Sequence, residues 1–212
     1  EKRKINKAAY PTTTGFSFKQ SLLLDNPYEQ SNFQYILNDG TPDIRLTQID
    51  DLSRIYSSTI KRKGNRRKMD YYNQEGSEYF KEQLLAYLHL SRGLQVSSTN
   101  VLITRSTEMS LFIIAEILLK PNDKVVVAEL SYFSANMIFQ KNGASIQTIP
   151  IDNEGVDTDA LERLCEQMSI RMVYVSAQHH YPTTVTLSAK RRIALLALAE
   201  KYGFAIVEDD QD

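Results

Sequence analysis

The sequence has 212 residues, 42% of them hydrophobic and 24% charged, with 25 Lys+Arg against 26 Asp+Glu and a net charge of −1. Those fractions are ordinary for a globular protein and exclude collagen, coiled coil and disorder, while near-neutral charge gives no overall pull toward nucleic acid or acidic membranes. The single cysteine, Cys165, excludes an intramolecular disulfide framework and a Cys-rich zinc module.

Residues 1–45 read as an extended N-terminal arm. They hold three of the six prolines, and Phe16, Phe18, Leu22, Leu23, Leu24 and Phe33 show no sustained period. Asn38-Asp39-Gly40-Thr41-Pro42 has the composition of a turn that closes the arm. Residues 46–100 read as a helical segment. A helix over 46–61 places Ile49, Leu52, Ile55, Tyr56 and Thr59 on one stripe, and a second over 77–92 stops at Gly93. Between them, 61–68 carries six basic residues in eight. A phosphate or nucleic-acid patch is one reading and a solvated helix end and loop the other, the second favoured because no aromatic interleaving of the kind seen in nucleic-acid binders surrounds the run.

From residue 101 the pattern turns regular. Short β-rich runs at 101–104, 124–128, 145–149, 171–176 and 204–207 alternate with helical stretches at 107–119, 134–141, 158–168 and 188–202. That alternation predicts an α/β fold, a mostly parallel sheet with helices on both faces and right-handed crossovers. The runs Val125–Val127, Met172–Val175 and Ala205–Val207 are nearly all apolar, as strands buried on both faces are. Apolar runs such as 111–119 fall short of the ~20 residues of a membrane span, and no secretory leader pattern opens the chain, so a soluble cytoplasmic protein is expected.

In an open α/β sheet, ligands bind beyond the carboxyl ends of the strands. Thr104-Arg105-Ser106-Thr107-Glu108 opens a helix there, where free backbone amides and the helix dipole suit an anion; ordinary capping by Ser106 or Thr107 is the competing reading. Leu130-Ser131-Tyr132-Phe133 places two aromatics at another strand end, able to stack on a flat ligand or simply to pack the loop. Ser176 to Thr184 joins adjacent His179 and His180 to Tyr181-Pro182, a composition suited to a binding loop and a poor one for a metal. Glu208-Asp209-Asp210-Gln211-Asp212 could hold Mg²⁺, pair with a cationic ligand atom, or form an exposed acidic tail.

Taken in order, Ile103 to Glu108, Leu130-Ser131-Tyr132, His179-His180-Tyr181-Pro182-Thr183 and Val207-Glu208-Asp209-Asp210 resemble fold-type I pyridoxal-phosphate enzymes of the aminotransferase class. Within that class the chain looks most like the aminotransferase-like effector domain of MocR/GabR transcriptional regulators. Asn38 to Leu46 is similar to their segment between the DNA-binding part and the cofactor domain, and Tyr71…Gly76 to their Tyr-Gly-Asp-Pro-x-Gly stretch. The resemblance implies the large domain of fold-type I over 101–212 and a pyridoxal 5′-phosphate site. The amides of Ser106 and Thr107 would hold the phosphate, Tyr132 would stack on the pyridine, and Asp209 would pair with its protonated nitrogen. His179 or Tyr181 would lie on the O3′ side, and Tyr71 would reach the phosphate of the partner subunit of a homodimer.

The chain departs from the family at Glu108, where the family has Gln, at Thr184, where it has Gly, and at Gln211, where it has Tyr. The family's Schiff-base lysine would lie beyond Asp212, and Lys190 and Lys201, in the preceding helical stretch, are poor substitutes. The expectation is therefore a fragment with no catalytic residue of its own: the effector domain of a regulator that senses a small amino compound and meets DNA through a domain outside these residues. A piece of an amino-acid aminotransferase is the alternative, and a Mg²⁺-binding phosphotransfer or binding module is a reading of another class.

Overall fold

The computed structural model describes residues 15–17, 43–69 and 73–210, the side chains of 66–68 excepted. Residues 1–37 and 38–212 form separate units, and every helix and strand described belongs to the second. Most of the expected arm, the turn at 38–42, and Tyr71, Gln211 and Asp212 lie outside the described residues.

The first helix, α1 (Ile49–Lys61), starts where its apolar stripe starts and three residues later than the expected bound at 46, because Ile44–Leu46 takes a 3-10 turn capped by the Asp43 carboxylate. Its apolar stripe is on one face as expected, yet Ile49, Leu52, Ile55 and Tyr56 are all exposed. Helix α2 (Glu78–Arg92) ends at Gly93, whose φ of +67° suits glycine and whose N–H donates to the His89 carbonyl.

The expected strand at 101–104 is not a strand. The segment is extended but joins no sheet; the Ile103 N–H donates to the Glu75 carbonyl at 3.0 Å. A Val-Leu-Ile-Thr run forms a strand only where a neighbour offers a ladder. Here the neighbour is the bend at 73–76, where Gly76 (φ +108°) sits so close that a Cβ would meet Ile103 Cγ1 at 2.4 Å.

The sheet itself begins at β1 (Lys124–Ala128) and β2 (Ser145–Ile149), which match the predicted bounds, and is completed by β5 (Met172–Val175) and β6 (Ala205–Glu208). All four are parallel in the order β2-β1-β5-β6, with Val126 opposite both Gln147 and Val173, and Val173 opposite Ile206. Alternation along the strands divides the core. Val125, Val127, Met172 and Tyr174 pack with Leu111 and Ala115 of α3 (Thr107–Leu118) and with Ala135 and Phe139 of α4 (Phe133–Lys141). Val126, Ala128, Val173 and Val175 pack on the other face against Leu161 and Cys165 of α5 (Thr158–Gln167) and Leu195 and Leu198 of α6 (Ala189–Tyr202). Each fully buried aliphatic side chain contributes about 1.5–3 kcal/mol relative to exposure, so this double-sided burial is what holds the strand ends in place.

A hairpin unforeseen from the sequence, β3 (Ile151–Asp152) with β4 (Gly155–Val156), lies between β2 and α5. Gly155 (φ +98°) lies against Leu187, where a Cβ would come within 2.9 Å of backbone. Arg191 ties the hairpin to α6 through Asp152 and the Gly155 carbonyl, each at 2.6 Å.

Candidate functional site

The site lies beyond the carboxyl ends of β5 and β6, where α3 starts. Ser106 is the N-cap of α3: it is extended (φ −160°), and its Oγ accepts the Met109 N–H at 3.3 Å. Thr104 Oγ1 donates to the Ser106 carbonyl at 3.1 Å and lies 2.6 Å from Ser110 Oγ, so hydroxyls fix the turn from both sides. The first amides of α3 have no acceptor within the helix, and they form its positive end. A cavity of about 350 Å³ opens there, lined by Arg105, Ser106 and Thr107 together with Glu208, Asp209 and Asp210. Capping and anion binding are thus compatible at Ser106: the hydroxyl caps while the amides remain for a ligand.

Asp209 is set by two bonds. Its N–H continues the β5 ladder to the Val175 carbonyl at 2.9 Å, and its Oδ2 accepts the Tyr174 hydroxyl at 2.6 Å. Burial, and then the neighbouring Asp209 carboxylate, push the Tyr174 phenol far above its usual range, so it stays a donor. Sequence reading missed Tyr174. The available signal was a lone hydroxyl in an otherwise apolar buried strand, which needs a partner. Asp210 forms an ion pair with Arg92 of α2 at 3.2 Å, so this acid is part of a built contact and not of a free tail. Among the described residues, no three of His, Cys, Asp and Glu lie together as a metal site would require.

Tyr132, N-cap of α4, donates its hydroxyl to Glu108 at 3.0 Å, and its ring meets Tyr181 edge-on at 5.8 Å. The amide of Glu108 itself, the Ser106 hydroxyl and the Tyr132 hydroxyl hold the Glu108 carboxyl below the usual carboxylate range. Of the two residues left open for the O3′ side, Tyr181 is the one whose ring is seen against Tyr132. His179 is exposed, has a φ of +45°, and does not line the cavity. The adjacent His180 is the buried histidine: its N–H donates to the Val185 carbonyl, its Nδ1 lies 2.8 Å from Thr183 Oγ1, and burial holds its pKa below the usual value.

The structure therefore brings Ser106, Thr107 and Asp209 to one cavity and ties Tyr132 to Tyr181 and to the start of α3, while Tyr132, Tyr181 and His179 are not among the residues that line that cavity; Tyr71 falls outside the described residues. The donor set is chemically matched to a ligand with an anionic end and a protonated ring nitrogen: amides, a hydroxyl and Arg105 for the anion, the Asp209 carboxylate for the cation.

The family described as aminotransferase class I and II matches residues 38–210. The HTH-type transcriptional regulator TauR of Rhodobacter capsulatus is 29% identical over 152 residues, which are 72% of this chain and 30% of that protein. Among solved structures, an archaeal alanine:glyoxylate aminotransferase superposes with a TM-score of 0.74 at 29% identity, covering 79% of this chain and 42% of that one. The Pyrococcus horikoshii kynurenine aminotransferase, solved in complex with PMP, superposes at 0.73 with 25% identity, covering 80% and 43%. The chain spans less than half the length of the curated relatives it matches. No helix among the described residues is long and apolar enough to cross a membrane.

Proposed function

The chain belongs to the aminotransferase class I and II family, whose cofactor is pyridoxal 5′-phosphate, and we propose that it is the cofactor-binding part of the effector domain of a MocR/GabR-type transcriptional regulator. The observation that carries the cofactor assignment is the single cavity shared by the start of α3 and Asp209. When bound, the cofactor supplies an electron sink for the carbon bearing an amino group.

The chain's own residues would prepare that chemistry. The first-turn amides of Ser106 and Thr107 would receive the phosphate, with Arg105 adding a cation. Asp209 would accept the proton of the pyridine nitrogen, and the Tyr174 hydroxyl fixes which of its oxygens is left to do so. Tyr132, supported edge-on by Tyr181, would cover the ring face. Tyr71 would reach the phosphate of the partner subunit in a homodimer, a reading that the exposed apolar stripe of α1 supports.

Relatives that carry an HTH-type regulator name support the regulatory role. In that role a small amino compound would react at the site, and DNA would be met by a winged-helix segment outside these 212 residues in a cytoplasmic protein. The aminotransferase superpositions support a second reading, in which the complete protein moves an amino group from an amino acid to a 2-oxo acid.

Calorimetric titration of the purified protein with pyridoxal 5′-phosphate tests the first step. Saturable binding, weakened at least tenfold by Asp209→Ala, is expected (about 1.4 kcal/mol per tenfold). An unchanged affinity in that variant would sink the assignment. With the complete gene product, turnover of amino acid plus 2-oxo acid favours the enzyme, and DNA affinity that changes on adding amino compounds favours the regulator.

A further inference from the structure

The basic run at 61–68 has no part in the cofactor site, and its backbone separates the two readings of its sequence. Cations that merely complete a helix end act within the last turn, where the dipole is felt. Only Lys61 stands there. At Arg62 the backbone turns extended (ψ 124°), and its N–H donates to the Thr59 carbonyl at 3.4 Å. Asn65 closes the turn: its side-chain amide donates to the same carbonyl at 2.8 Å, and its N–H to the Arg62 carbonyl at 2.9 Å. The chain then runs on as a 3-10 helix, Lys63–Met69, which includes Arg66, Arg67 and Lys68. The dipole of α1 gives no reason for cations this far past its end.

The charges are not neutralised locally. No acid occurs from Leu52 to Met69. Lys61, Arg62 and Lys63 are exposed and form no ion pair among the described residues, whereas Arg54, Lys81, Arg92, Arg191 and Lys201 each lie within 3.2 Å of an acid. The whole chain has a net charge of −1, so the rest of it is net acidic and near-neutrality conceals one strongly positive surface. A 3-10 helix rises about 2 Å per residue, so Lys63 to Lys68 spans about 10 Å. Duplex DNA presents about six phosphate charges over that length. Aromatic interleaving serves the stacking of single-stranded bases; contacts to a duplex backbone need only charge and reach. We propose that the turn between α1 and the 3-10 helix is a surface for the phosphate backbone of double-stranded DNA, independent of sequence and additional to the winged-helix segment. The proposal rests on the regulator reading, in which that segment brings DNA close; the cations here add affinity and not specificity.

The test is the fluorescence anisotropy of a short labelled duplex of arbitrary sequence, titrated with this chain at about 50 and about 200 mM salt. Wild type should lose about a thousandfold in affinity between the two, as roughly six phosphate contacts imply. Replacing Lys61, Arg62 and Lys63 together by Ala should weaken binding about tenfold or more at the lower salt and cut that loss to about fortyfold, as roughly three contacts imply. The charge-conserving set Lys61→Arg, Arg62→Lys and Lys63→Arg should behave as wild type. So should Ala at the exposed Lys120, Lys141 and Lys190, which removes the same net charge elsewhere. No binding by wild type, or equal weakening by the two alanine sets, overturns the inference. Run-dependent binding to phosphatidylserine vesicles with none to the duplex overturns it too, and makes the surface a membrane contact. The complete gene product separates this inference from the reading beneath it. DNA affinity that responds to amino compounds and not to the alanine set at 61–63 sinks this surface and leaves the regulator; affinity that needs those cations and ignores amino compounds does the reverse.

Discussion

Between Leu111 and Val207 the chain buries an apolar core on both faces of the sheet, whereas among the described residues from 43 to 100 the only buried side chain is a lysine. Lys81 is 2% exposed and lies between Glu75 at 3.4 Å and Glu78 at 3.2 Å. Around it the apolar groups face outward: Ile49, Leu52, Ile55 and Tyr56 on α1, and Tyr79, Phe80, Tyr87 and Leu90 on α2. Both regions are amphipathic in sequence. One satisfies its pattern within the chain, and the other presents its apolar face to whatever covers it. The first region supplies the precision a ligand site needs; the second supplies contact surface. Substitutions that separate packing from covering should divide along the same line.

The largest effect belongs to the packed half. Phe139 is fully buried and meets Tyr174 edge-on at 5.6 Å, on the face opposite α5 and α6. Phe139→Ala should cost about 3–5 kcal/mol of unfolding free energy. Because Tyr174 orients Asp209, the same change should also loosen binding of pyridoxal 5′-phosphate in protein that remains folded. A denaturant midpoint within experimental error of wild type would show that this layer is not the one that holds the site.

The covered half should behave in the opposite way. Leu52→Glu combined with Ile55→Glu places charge on the exposed stripe of α1, where no buried group is lost. If a second copy covers that face, sedimentation should show a dimer weakened about a hundredfold, the value of two aliphatic burials at about 1.5 kcal/mol each. The unfolding midpoint of the monomer should stay where it was. An unaltered association state would remove α1 from the dimer reading; a collapsed midpoint would remove the distinction between the two regions.

The same division explains what could be read from the sequence. Strands 124–128 and 145–149 have the predicted bounds because a short β-rich run beside parallel partners has only one way to bury itself. The run at 101–104 has the same composition, but its neighbour is a bend, which composition does not reveal. A hydroxyl cap at the start of α3 was legible from residue type, with Ser106 and Thr107 both open, and the structure places it at Ser106. The hairpin at 151–156 was not, since two-residue strands leave no period. At the site, Tyr132 and the acids after residue 207 were singled out from their place after strands, and Asp209 among those acids by the resemblance alone, whereas Tyr174, the Arg92–Asp210 pair and the Tyr132–Glu108 bond depend on contacts between residues 24 or more positions apart. Such contacts follow from the packing of the sheet and have no local signature.

The smallest expected effect concerns His180, which lies in the packed half at the edge of the site. It is buried, and burial holds its pKa below the model-peptide 6.5. The fold therefore favours the neutral imidazole, and between the two pKa values the unfolded chain binds more protons. Stability from this group is complete above pH 6.5 and is lost as the pH falls through its folded value. Wild type should thus lose more thermal stability between pH 7 and 5 than His180→Gln does. The difference should be about 1–2 °C, as a few tenths of a kcal/mol produce in a chain of this size. Parallel midpoint-versus-pH curves would mean that the imidazole meets water in solution, and the loop carrying Tyr181 would then belong with the exposed region and not with the core that positions Asp209.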